Sequence, residues 1–218
     1  NTLLKYNFTD EEARAFLAGP GHFAWQWMQN LQSYGGPLPK SWIDSHVELG
    51  KKVINRQLEL GMQPIQQGFS GYVPRELKNK YPDAKIQLQP SWCGFTGTAQ
   101  LDPTDSLFSA FGRDFLEEEK KLFGAHGVYA ADPFHESRPP IDTPEYLSAV
   151  GNSIYKLFQD FDPSASWAMQ AWSLREPIVK AVPKEHLLIL DLNGGRSRQE
   201  NTCWGYPVVA GNLHNFGG

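Results

Sequence analysis

The chain has 218 residues, with 24 acidic and 20 basic side chains for a formal charge of −4, and 40% apolar and 13% aromatic content including seven Trp. The apolar share is enough for a sizeable core and argues against disorder. The mild, mixed charge gives no footing for a nucleic-acid or anionic-membrane partner. Two cysteines, Cys93 and Cys203, exclude a disulfide framework and a four-cysteine zinc site; one bridge or two free buried thiols both fit.

In chain order, Thr9 and Glu12 form a capping-box pattern that opens a helix to about Leu17, stopped by Gly19-Pro20. Segment 21–39 reads as an aromatic-rich loop. Ser41 opens a long helix with apolar positions Ile43, Val47, Val53, Ile54 and Leu58, ended by Gly61. Met62 to Gln67 reads as a buried strand, Val73 to Lys80 as a short helix, and 81–101 as irregular chain. Asp102-Pro103 starts a helix to about Phe123 with Phe108, Phe111, Phe115 and Leu122 on its apolar face. Further strands are predicted at Gly127–Ala131, Ser166–Gln170, His186–Asp191 and Pro207–Leu213. A helix runs from Thr143-Pro144 to about Phe161, and a short one follows Leu174. No stretch approaches the roughly 20 apolar residues of a membrane span, and the start does not read as a secretory leader.

Short apolar strands separated by helices imply a parallel sheet buried on both faces, an α/β architecture. The strands end in Gln66-Gln67, Asp132 to Glu136, Gln170 to Trp172, Asp191 and His214-Asn215. In a (β/α)8 barrel such ends form the active face. About five strands are fewer than the eight of a closed barrel. The chain is therefore expected to be the central portion, 1–218, of a single incomplete (β/α)8 TIM-barrel-like catalytic domain. On this reading its first strand and final portion are missing, two sheet edges stand open, and the chain is stable only within a larger polypeptide.

The sharpest segment is YAADPFHESRPP (129–140): an apolar strand running into two acids, a His and a Pro-Pro stop. Pro133 biases Asp132 to an extended conformation and should hold Glu136 just beyond the strand. Near aromatic surface, desolvation would raise the pKa of such a carboxyl and suit it to general acid work; a plain surface-loop glutamate fits the same spacing. Asp132 and Asp191 read as hydroxyl-binding or structural carboxylates.

This segment resembles the acid/base segment of family 89 glycoside hydrolases, the α-N-acetylglucosaminidases. FLAGPGHFAWQWMQN (16–30), GGPLPKSW (35–42), LELGMQPIQQGFSGYVP (58–74), MQAW (169–172), LLILDL (187–192) and NLHNFGG (212–218) resemble the same family in the same order. The resemblance implies a retaining exo-hydrolase that removes terminal α-linked N-acetylglucosamine on a distorted (β/α)8 barrel, with Glu136 as general acid/base. It places the nucleophilic Glu downstream of Gly218. His135 stands where the animal enzymes have Asn, and either side chain can hydrogen-bond a sugar hydroxyl or the acid. It also implies a secreted, periplasmic or lysosomal setting.

Sugar rings present apolar C–H faces, so aromatic platforms ringed by polar groups are the expected chemistry. Trp25, Met28, Asn30, Trp92, Asp132, His135, Gln170, Trp172, Asp191, His214 and Asn215 are the candidate substrate-binding residues. Trp27, Trp42 and Trp167 are expected to pack in the core or against helices. The implied partners are a glycan ending in N-acetylglucosamine and the remainder of the parent domain, with no cofactor. His135, Glu136, His22, His126 and His214 offer metal-ligand types, but their spacing fits no zinc motif. A non-catalytic carbohydrate-binding or inactive barrel fragment is the competing reading.

Overall fold

The computed structural model describes residues 1–192, 194, 195 and 203–211. The side chain of Trp27, and with it the packing expected there, lies outside the described residues, as do His214 and Asn215. Helix α1 (Asp10–Phe16) begins with the capping box: Thr9 accepts from the Glu12 backbone N–H, and Glu12 accepts in return from that of Thr9. Next come α2 (Phe23–Trp27), α3 (Lys40–Glu59), β1 (Gln66–Gln67), β2 (Tyr72–Val73), α4 (Leu77–Lys80), β3 (Ile86–Leu88) and β4 (Ala99–Leu101). They are followed by α5 (Ser106–Phe123), β5 (Val128–Ala130), α6 (Pro144–Phe161), β6 (Ser166–Gln170), α7 (Glu176–Lys180), β7 (Leu187–Asp191) and β8 (Val208–Ala210).

The main sheet has the order β1-β5-β6-β7-β8, and every adjacent pair is parallel. It is the five-strand parallel sheet expected from the apolar runs, with β1 and β8 at its edges. Its core strands bury Tyr129, Trp167, Ala168, Met169, Leu187 and Ile189. Helix α6 covers it with Leu147, Val150, Ile154, Leu157 and Phe158, the three-and-four spacing of one helical face. Gly112 lets α5 close on this layer, since a Cβ there would stand 2.8 Å from Phe69 and against Leu157.

Several expectations are corrected. The supposed loop 21–39 contains a 3-10 turn at Pro20–His22 and then α2. Val73 belongs to β2, so the helix expected from there is only α4. The supposedly irregular 81–101 supplies β3 and β4, which join β2 in an antiparallel sheet of order β2-β4-β3. Helix α5 begins at Asp105, which caps the Leu107 N–H, because Asp102 instead folds back on Thr104 in a turn of its own. No residue of α3 is buried, despite its apolar stripe. Ile43 and Val47 instead face a cleft of about 870 Å³ shared with Phe16, Phe111, Phe115 and Phe123. Both cysteines are free; Cys93 is exposed and only Cys203 is buried. Trp167 packs in the core, and Trp42 stacks on His46 with ring centroids 3.6 Å apart.

Glu119 of α5 also lines that cleft. Its Oε1 accepts the Gln67 backbone N–H at 3.1 Å, while Oε2 is buried without a partner among the described residues. Desolvation pushes its pKa up to about 7 from the ordinary 4.5. The folded state then holds a proton between about pH 4.5 and 7 that the unfolded chain has lost. Glu119 therefore contributes full stability below that window, and up to about 3 kcal/mol of it drains away as pH rises through the window. Thermal melts of the parent domain at pH 5 and 7.5 are expected to show this decline, and Glu119→Gln to flatten it. An unchanged slope in the variant would assign the pH dependence to other groups.

Candidate active site

The parallel strands deliver their carboxyl ends to one face; the described candidate residues come from the ends of β5, β6 and β7 and the turns after them, from the α2 segment before β1, and from the connection between β3 and β4. After β5 the chain bends at Phe134, whose φ of +58° is a left-handed conformation unfavourable for a bulky residue. The turn is held because the Phe134 ring is buried at 1% exposure. It leaves His135 inside and brings Glu136 out to the surface. The expected burial of Glu136 is therefore corrected: Glu136 is exposed, and it is the half-buried Asp132 whose carboxyl desolvation shifts upward.

Glu136 is clamped through a single oxygen. The Asn30 amide donates to Oε2 at 2.8 Å, and the Trp92 indole N–H donates to the same atom at 3.0 Å. The other oxygen, Oε1, has no partner among the described residues. Asn30 comes from the end of the α2 segment and Trp92 from the excursion between β1 and α5, so three separated stretches meet on one carboxylate.

Asp132 lies behind it. Its Oδ1 accepts the Gln170 backbone N–H at 2.8 Å, which ties the end of β5 to the end of β6. Burial raises its pKa, and the Gln170 hydrogen bond and the His135 ring only partly oppose this. Met28, Gln29, Gln67, Asp132, His135 and Gln170 surround a small cleft of about 50 Å³. The His135 ring meets Trp172 edge-on at 5.3 Å, and its Nδ1 is buried without a partner among the described residues. Trp172 is 61% exposed on the turn after β6. Asp191 is buried at the end of β7, one residue past the Gln170–Leu190 pair. Trp25 is exposed on α2, and its carbonyl accepts the Asn30 N–H.

The hairpin that carries Trp92 escaped the sequence reading. Trp92 and Phe95 exchange both backbone hydrogen bonds around Cys93 and Gly94, at φ +48° and +84°. This is the left-handed two-residue connection that matches strand twist, and it sets the Trp92 and Phe95 rings on one face. Arg75 fastens the stem, its Nη1 donating to the carbonyls of Gln89, Gly97 and Thr98 at 2.9, 3.3 and 3.2 Å. The Thr98 hydroxyl donates to the Gln29 carbonyl at 3.0 Å, docking the stem on the loop before Asn30. Gln29 and Arg75 were not foreseen at the site, and Gln67 was expected there only as the end of a strand. The Cys93-Gly94 pair between two aromatics was the available signal.

The five-stranded parallel sheet, with these residues gathered at the carboxyl ends of its strands, has the architecture of part of a (β/α)8 barrel. The family model described as "Alpha-N-acetylglucosaminidase (NAGLU) tim-barrel domain" matches residues 1–218. Human alpha-N-acetylglucosaminidase is 32% identical over 233 aligned residues, covering 99% of this chain and 31% of the human protein. A family 89 glycoside hydrolase from Clostridium perfringens, solved in complex with PUGNAc, superposes with a TM-score of 0.89 at 33% identity, over 100% of this chain and 26% of its own. The enzyme from the same organism, solved with its substrate GlcNAc-alpha-1,4-galactose, gives a TM-score of 0.87 at 31% identity. The chain belongs to the alpha-N-acetylglucosaminidase family, family 89 of the glycoside hydrolases. It spans about a third of the human relative's length.

Proposed function

We propose that the polypeptide containing this chain is a retaining, exo-acting glycoside hydrolase that releases terminal α-linked N-acetylglucosamine, with Glu136 as its general acid and base. The observation that carries this reading is the one-sided clamp on Glu136. The Asn30 Nδ2 and Trp92 Nε1 groups that face Oε2 can only donate, so a proton carried by this carboxyl sits on Oε1, the oxygen left open to a glycosidic oxygen. After the leaving group departs, the same oxygen can take a proton from water, as a retaining reaction requires.

The second carboxylate, the nucleophile, is expected from a Glu downstream of this chain, as the family resemblance implies. Asp132 is poorly suited to that task, being shifted toward its neutral form by desolvation and committed to the Gln170 backbone. Its role in this reading is to hold the ends of β5 and β6 together. In this reading His135, Gln170 and the Trp172 ring meet the terminal sugar.

The test follows the first-formed anomer by proton NMR as the parent enzyme acts on GlcNAc-alpha-1,4-galactose. Initial release of α-N-acetylglucosamine as single sugar units is expected. Initial appearance of the β-anomer would refute retention, and no cleavage would refute the enzymatic reading.

A further inference from the structure

The hairpin offers more than the Trp92 indole. Phe95, Trp92's cross-strand partner, stands 6.4 Å from it in a near-parallel arrangement. Beyond Phe95 the aromatic surface continues. Tyr34 lies edge-on to the Phe95 ring at 4.7 Å, His22 is tilted against it at 5.6 Å, and Tyr34 and His22 are 4.4 Å apart. Tyr34 is 48% exposed, and Phe95 and His22 are half-buried, so the rings are accessible rather than sealed in the core. Trp92 is the member of this row that hydrogen-bonds Glu136; the others follow from it ring to ring, through Phe95 to Tyr34 and His22.

A general acid protonates the oxygen that leaves with the aglycone, so surface continuous with its clamp lies on the leaving-group side of the bond. Flat aromatic rings suit the apolar C–H face of a pyranose, with His22 and the Tyr34 hydroxyl as polar groups at the margin. We propose that Phe95, Tyr34 and His22 form the subsite for the sugar that leaves, extending from Trp92, and that they set the preference for a pyranose aglycone. The proposal rests on Glu136 being the acid. Binding energy gained there acts on the leaving group, so it favours substrates that carry a ring beyond the scissile oxygen.

The test compares two substrates of the parent enzyme, GlcNAc-alpha-1,4-galactose and α-N-acetylglucosaminyl fluoride, which has no aglycone ring. The readout is the ratio of their kcat/KM values. Phe95→Ala and Tyr34→Ala are each expected to lower that ratio about tenfold, mainly through KM for the disaccharide, the scale of one aromatic stacking contact. Phe95→Leu, which keeps apolar volume without a flat ring, is expected to lower it similarly, and Phe95→Tyr to restore it. An unchanged ratio, including a parallel fall on both substrates, overturns the proposal and leaves these rings as hairpin packing. A parent enzyme that cleaves the disaccharide and goes dead on Glu136→Gln while the ratio ignores Phe95 refutes the subsite alone. A parent that cleaves neither substrate refutes both readings.

Discussion

Glu136→Gln in the parent enzyme is expected to lower kcat on GlcNAc-alpha-1,4-galactose by about 10²- to 10⁴-fold, the usual worth of a positioned general acid. The substitution is nearly isosteric. Its amide oxygen can still accept from Asn30 and Trp92, so the clamp survives and only the transferable proton is removed. The loss should therefore depend on the leaving group. A 2,4-dinitrophenyl glycoside departs without protonation and should be cleaved far less impaired than the disaccharide. Glu136→Ala adds a second signature. With that activated substrate the slow step becomes attack of water on the glycosyl-enzyme, which lacks a base, and azide needs no base. Azide should accelerate turnover and yield a glycosyl azide of retained configuration. Equal losses on both substrates with no azide effect would assign Glu136 a binding role.

Gly97→Ala is expected to cost about 10- to 100-fold in kcat/KM without altering any residue that touches Glu136, as a misplaced catalytic geometry typically does. Gly97 lies in the hairpin stem, where a Cβ would be driven into the Pro90 carbonyl oxygen and stand 2.6 Å from that of Gln89. These are backbone atoms, one of them already committed to Arg75. The stem must open to relieve the clash, and the Trp92 indole leaves Oε2 with it. Overpacking of this kind destabilises by about 1–3 kcal/mol, so the melting temperature should also fall. An Ala variant with unchanged kcat/KM would show that the hairpin position is immaterial to the acid.

What the residues made legible follows the range of the interactions involved. Strands β5, β6 and β7 announce themselves because a central parallel strand is apolar on both faces, as in Leu187-Leu188-Ile189-Leu190. The Thr9 capping box is read correctly because both partners lie within four residues. β1 shrank from the expected six residues to Gln66–Gln67, where its pairing with β5 at the sheet edge begins. The antiparallel sheet was overlooked because its strands are two or three residues long, too short for alternation to stand out. The clamp on Glu136 joins partners 106 and 44 positions away, and no spacing rule reaches that far. The error about desolvation has a local origin. An extended chain would have carried Glu136 inward with the strand, but the left-handed turn at Phe134 exchanges the places of inside and outside.

The left-handed turn at the hairpin tip has a practical side. Cys93 occupies it with its thiol in solvent, whereas Cys203 is buried. Within this chain a maleimide therefore reaches one position, adjacent to the indole on the acid and two residues from Phe95. A fluorophore or nitroxide attached there would report directly on how the hairpin sits before and after a glycan arrives, with no residue replaced.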